Sequence, residues 1–203
     1  MKKMVKKFTQ FRENYNFNMP PLVEKDNAIF FNGEVVEDAE KKYSSGEGFI
    51  NIGYGFKEHF SRILSNLYPM SFKFRGKKVA SIEGVLQGIK YKDVKAQNLV
   101  LKYAGIDAYH TRGCNEMDFW GKEGKLYWQG KEIDRNSNEY QLFLDELYIS
   151  ASSNPLYQRA LLGSGDKYLL HHIGKNDPHL TVLTRYEFES RLNALRSFLS
   201  DNI

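Results

Sequence analysis

Apolar residues recur along the chain at two spacings, and these divide it into elements. Ile82, Val85, Leu86 and Ile89 fall at i, i+3, i+4 and i+7, one face of a helix beginning near Ser81. Val94–Tyr103 reads as a second helix, stopped at Gly105. Asn136 or Ser137 is placed to cap a helix with Tyr140, Phe143, Leu144 and Leu147 on one side. Asn154-Pro155 is a cap followed by proline in the first turn, with Gly163 or Gly165 as the stop. The last helix has the clearest start. Thr184-Arg-Tyr-Glu187 is a capping box, and Phe188, Leu192, Leu195 and Leu199 follow at helical spacing.

Strand signals are shorter. Ala28–Phe31 ends at Asn32-Gly33, which favours a tight hairpin into Val35-Val36. Phe49–Gly55 reads as a strand running into a loop, and Phe72–Val79 as two short strands around Gly76. No internal repeat and no Gly/Ser/Pro linker divides the chain. The expected fold is mainly α with a few short β-strands (α+β). Residues 49–203 form one compact domain, and residues 1–48, polar and containing Pro20-Pro21, form an N-terminal extension packed on it.

A composition of 41% hydrophobic and 27% charged residues excludes a collagen-like chain and wholesale disorder. No apolar run reaches the ~18 residues of a membrane helix, and the N-terminus lacks the apolar core of a secretory signal. Cys114, the single cysteine, can form no internal disulfide, which fits a reducing compartment. A cytoplasmic protein with no membrane partner is expected. The net charge is +4. Lys2, Lys3, Lys6 and Lys7, with no acid among them, equal the whole surplus of 29 basic over 25 acidic residues. The body is therefore neutral overall. The surplus reads as a solvated N-terminal arm, a weak indicator of a nucleic-acid groove by itself.

Familiar catalytic motifs are missing. There is no Walker A sequence, no paired Cys-x-x-Cys and no Gly-x-Ser-x-Gly elbow; Leu162-Gly-Ser-Gly165 is better explained as a helix stop. Adjacent His171 and His172 diverge on most backbones, and neither a cysteine nor a His-x-x-x-His pair joins them and His179, so no metal is expected. The informative stretch is Leu64–Phe72 followed by Ser81–Lys90. Glu83, Gln87 and Lys90 lie at i, i+4 and i+7, sharing a helix face distinct from the Ile82, Leu86, Ile89 face. A solvated polar face with a Glu–Lys helix pair is the plain alternative.

Ser65-Asn-Leu-Tyr-Pro69, a short hairpin, Ser81-Ile-Glu83 and Gln87-Gly-Ile-Lys90 together resemble the NADAR (NAD- and ADP-ribose-associated) superfamily, also called YbiA-like. Leu126-Tyr-Trp128, Phe143–Leu147, Asn154-Pro-Leu156, Ala160-Leu-Leu162 and Gly165-Asp166 resemble its following stretches, so the likeness spans about residues 49–199. Three departures mark a divergent member, one of them an insertion around Asn136. The family's histidine after the glutamate is Gly84 here, and His171–Pro178 occupies the region of its Trp-Gly-x-Gly segment. Trp120 matches no family position and reads as core or rim.

The resemblance implies cleavage of an N-glycosidic bond at a ribose C1, without metal or organic cofactor. Glu83 would stabilise the oxocarbenium-like centre or move a proton. Lys90 would attack C1 and form an imine with the opened ribose, which requires its free amine. Trp128, with Tyr68, would stack on a nucleobase. Ser65 and Asn66 would bind ribose hydroxyls or phosphate, or hold the loop, and Gln87 shares the binding face. The expected substrate is ADP-ribosyl guanine in DNA. The reasons are family precedent, the lysine surplus and a Lys-, Asn-, Ile- and Tyr-rich composition of the kind a phage encodes, in which case reversal of an ADP-ribosylation defence is a sensible role. A ribosylamine N-glycosidase of the riboflavin-precursor type, a non-catalytic ADP-ribose-binding module and a purely structural protein are the alternatives.

Overall fold

The computed structural model describes residues 1–19, 22–26, 28–36, 43–111 and 123–202. Pro20-Pro21, Cys114 and Trp120 lie outside the described residues. The chain opens with α1 (Lys2–Asn14), a meander β1 (Leu22–Lys25), β2 (Ala28–Phe31) and β3 (Glu34–Val35), then β4 (Ser45–Gly46), β5 (Phe49–Asn51) and α2 (His59–Ile63). The hairpin β6 (Phe72–Phe74) and β7 (Lys77–Val79) leads into α3 (Ile82–Gly88), α4 (Val94–Val100) and α5 (Gly105–His110). A second hairpin, β8 (Lys125–Trp128) and β9 (Lys131–Asp134), precedes α6 (Asn138–Ala151), α7 (Pro155–Gly163), β10 (Tyr168–Leu170) and α8 (Arg185–Ser200). This is the α+β class expected, in a single domain.

Helix starts follow capping chemistry. Ser81 accepts from the Gly84 N–H, Ser137 from Tyr140 and Asn154 from Leu156, while Thr184 and Glu187 close both halves of the capping box. The β2–β3, β6–β7 and β8–β9 hairpins share one turn chemistry, two successive residues at positive φ, of which the second is glycine. Asn32-Gly33 has φ of 49° and 87°, Arg75-Gly76 45° and 81°, and Gln129-Gly130 50° and 84°. Strand β10 adds parallel to β5, with Tyr168 opposite Phe49 and Leu170 opposite Asn51, so the stretch leaving β10 at His171 emerges beside Ile52.

Two expectations need correction. Helix α4 ends at Val100, and Gly105, at φ 59°, opens α5 rather than stopping α4. The lysine-rich start is a docked helix, not a solvated arm. Phe8 is fully buried, and both Phe8 and Phe11 lie 5.6 Å from the Phe198 ring, centroid to centroid. The four lysines occupy the exposed side of α1. Buried Asp145 on α6 ties this helix down, accepting from Thr9 Oγ1 at 2.9 Å and Arg12 Nε at 2.8 Å, with Arg191 Nε 3.0 Å away.

Candidate functional site

The turn after α2, the helix α3 and the segment entering α8 meet around a cavity of about 670 Å³. Asn66, Glu83, Gln87 and Lys90 all line it. The Glu83 N–H donates to the Asn66 carbonyl at 2.9 Å, which fastens the turn to the first turn of α3. The Lys90 ammonium donates to Gln87 Oε1 at 2.7 Å, and Gln87 Nε2 donates to Glu83 Oε1 at 2.6 Å. One amide thus joins a cation to an anion in a continuous row. Helix α3 stops at Gly88, so Lys90 sits in the turn beyond it, with its N–H on the Gln87 carbonyl. Gln87 is 4% and Lys90 8% exposed, so this is a buried polar row rather than a solvated helix face.

Asn66 is oriented from behind. Fully buried Tyr148 donates its hydroxyl to Asn66 Oδ1 at 2.9 Å, and burial pushes the Tyr148 phenol well up, so it stays a donor. Among the described residues no acceptor is found for the Asn66 amide nitrogen, which is the group able to meet a ligand.

The other expected residues lie elsewhere. Trp128 packs in the core, edge-on to Phe74 at 5.0 Å and Phe143 at 5.6 Å, and does not line the cavity. Its strand alternates, placing Leu126 and Trp128 inward, and the inward face of β8 meets α6. Tyr68 packs on the same core. Ser65 accepts the Leu67 N–H at 3.3 Å and so holds the turn. The aromatic rings of the wall are Tyr109 on α5 and Phe188 on α8. Nothing in the chain's periodicity singled these out: α5 is one turn and a half opened by a glycine, and Phe188 belongs to an apolar helix stripe.

The opposite wall comes from the segment between β10 and α8. His171 Nδ1 lies 2.8 Å from the Ile52 carbonyl, and its backbone N–H donates to Glu189 Oε1 at 2.7 Å. Burial lowers its pKa to about 4, with His172 and Arg185 adding to the effect and the Ile52 carbonyl opposing it. The imidazole is therefore neutral near pH 7, with Nδ1 as donor to Ile52 and Nε2 as the basic nitrogen. Arg185 lies on the first turn of α8, its Nε 2.6 Å from Glu189 Oε1. That turn is braced by the buried pair of Arg135 and Glu187, at 2.9 and 2.7 Å, with Gln141 donating to the same carboxylate at 2.8 Å. Burial alone would raise the Glu187 pKa, but Arg135, with help from Gln141 and the Thr184 N–H, outweighs it and the net shift is downward. His171 and His172 thus serve the sheet and the cavity wall: the His172 N–H and ring both meet the buried Asn51 amide.

Gly84 lets α3 lie close against the end of α4. A Cβ there would lie 2.7 Å from the Tyr103 carbonyl and 3.2 Å from that of Val100. The position faces the end of α4, away from the Glu83 row, and has no room for a side chain.

Residues 58–197 match the family model described as bacteriophage protein GP30.3. The chain belongs to that family. A relative from Enterobacteria phage T4, described as an uncharacterized 17.1 kDa protein in the Gp30-rIII intergenic region, is 32% identical over 143 residues, covering 67% of this chain and 90% of the relative. No solved structure matches. Both findings support the phage origin read from the composition. The GP30.3 region contains every cavity-lining residue, from Asn66 to Phe188, whereas α1 and β1 to β5 precede it.

Proposed function

We propose that this GP30.3-family protein is a divergent NADAR-type N-glycosidase that removes ADP-ribose from modified nucleobases, guanine in DNA foremost. The observation that carries the reading is the hydrogen-bonded row of Glu83, Gln87 and Lys90 on the wall of one cavity, with the Asn66 amide beside it. The cavity volume falls within the few hundred to about 1,000 Å³ that enclose small-molecule ligands. In the proposed reaction the bond between ribose C1 and the base nitrogen breaks. The electron pair leaves with the base, which takes up a proton. Glu83 stabilises the positive charge at C1 or carries that proton. Lys90, as the free amine, bonds to C1, and the opened ribose is held as an imine. Water then adds at the imine carbon and releases the amine and the ribose product. With Trp128 in the core, Tyr109 and Phe188 take over the base-stacking role.

A non-catalytic ADP-ribose-binding module is the second reading, favoured by Gly84, whose contacts leave no room for the histidine of the resembled family. One experiment separates the two. On an oligonucleotide carrying ADP-ribosyl guanine, Glu83→Gln and Lys90→Ala are each expected to lower turnover at least ~100-fold while ligand affinity falls far less. Borohydride should trap a covalent adduct at Lys90. Tight binding without release of ADP-ribose by the unmodified protein selects the binding module, and equal losses of rate and affinity assign Glu83 and Lys90 to ligand positioning.

A further inference from the structure

We propose that Arg185 and Lys175 form a subsite for a diphosphate group on the cavity wall facing the α8 end. Arg185 is 8% exposed yet lines the cavity. Its guanidinium is held by one edge: Nε and Nη2 lie 2.6 and 3.5 Å from the two oxygens of Glu189. Glu189 is itself fixed by the Tyr168 hydroxyl at 3.1 Å and the His171 N–H at 2.7 Å, so it orients the arginine rigidly. Among the described residues no acceptor is found for Arg185 Nη1. It is not among the buried side-chain atoms without a partner, so this edge of the guanidinium is open to the cavity, where an anion can replace water with a charge-assisted hydrogen bond.

Lys175 is brought to the same place by the backbone. Its carbonyl accepts the Arg185 N–H at 2.7 Å. The close approach depends on Gly174, where a Cβ would stand 2.8 Å from Arg185 Cβ and 3.1 Å from the His171 ring. The fold therefore sets two cationic residues side by side on separate segments, an arrangement that a bridging anion favours. The first three N–H groups of α8 are already taken by the Lys175 carbonyl, Asn176 Oδ1 and Thr184 Oγ1, so side chains rather than the helix end would hold the anion. Of the described lining residues, Lys90, Lys175 and Arg185 are basic and Glu83 alone is acidic. An ADP-ribose-like ligand would place its ribose C1 at the Glu83 row and its diphosphate at Arg185. That ligand identity rests on the function proposed above; the subsite itself does not.

The test is calorimetric titration of the full chain with inorganic pyrophosphate, ADP and adenosine. Pyrophosphate and ADP should bind and compete with one another. Lys175→Glu, an exposed change that spares the fold, should weaken both at least tenfold and leave adenosine unchanged. Arg185→Gln, checked for folding by circular dichroism, should weaken them further. Glu83→Gln should leave pyrophosphate binding intact. Failure of the unmodified protein to bind pyrophosphate, or unchanged ADP affinity in Lys175→Glu, overturns the subsite. Pyrophosphate binding without glycosidic cleavage keeps the subsite and removes the glycosidase reading. Cleavage with ADP affinity unaltered by either variant does the reverse.

Discussion

His171 shows how one half-buried side chain couples the cavity to stability. Its folded pKa of about 4 lies below the ordinary value of 6.5 because burial disfavours the imidazolium. Between those two values the unfolded chain binds a proton that the folded chain does not. Stability contributed by neutral His171 is therefore complete above about pH 6.5 and is lost as pH falls towards 4. A shift of this size corresponds to roughly 3 kcal/mol. Glu189, which holds the His171 N–H, has its own pKa raised by burial and titrates the other way. The difference between the unmodified protein and His171→Gln cancels that second contribution. Urea unfolding at pH 7 and pH 4.5 should show a smaller acid loss in the variant, by about 2–3 kcal/mol. Equal losses in the two proteins would mean that His171 is not held neutral.

At the scale of elements, a glycine pair governs how α3 meets α4. Gly84 and Gly88 are one turn apart and face α4 and the turn after it: a Cβ at Gly84 would stand 2.7 Å from the Tyr103 carbonyl and 3.2 Å from that of Val100, and one at Gly88 3.3 Å from the Leu101 side chain and 3.6 Å from that of Gln97. Alanine in a helix interior normally gains up to ~1 kcal/mol over glycine. At Gly84 the nearest atoms are backbone carbonyls, which cannot swing aside, so Gly84→Ala should cost a net ~1–2 kcal/mol in urea unfolding and Gly84→His more. A stabilised Gly84→Ala would show that α3 can move off α4 freely. The elements that the sequence made legible are those with local chemistry. Ser81, Asn154 and the Thr184–Glu187 box each satisfy helix N–H groups from within four residues, and Asn32-Gly33 builds its own turn. The β8–β9 hairpin is not read from the sequence, although Gln129-Gly130 adopts the same positive φ pair as Arg75-Gly76. Parallel pairing of β10 with β5 depends on residues 119 apart and leaves no local signal. The site divides in the same way. Glu83, Gln87 and Lys90 were readable from helical spacing, although Lys90 lies in the turn just past the end of α3, whereas His171, Lys175 and Arg185 reach the cavity only through the chain's return along β5. Trp128 was misplaced because an aromatic residue on a short strand reads alike whether it faces a ligand or the core.

For the whole molecule, the lysine surplus and the cavity belong to separate parts of the chain. Helix α1 lies outside the GP30.3-matched region, yet it is bound to α6 and α8 through Phe8, Thr9 and Arg12. Its inward face is structural. Phe8→Ala, which empties a fully buried site against Phe198, should cost about 3–5 kcal/mol. Its outward face carries Lys2, Lys3, Lys6 and Lys7, which a rigid helix presents together instead of dispersing along a tail. If the substrate is DNA, these charges contact phosphates and release counterions, each contributing about 0.9 to the slope of log affinity against log salt. Replacing all four by glutamine should then reduce that slope by about 3–4 for duplex DNA carrying ADP-ribose. Thermal stability and turnover of a free ADP-ribosyl nucleoside should not change, because the exposed lysines neither enter the core nor line the cavity. An unaltered salt slope would detach the lysine face from DNA and favour a small ribosylated metabolite as substrate, with α1 retained for its packing alone.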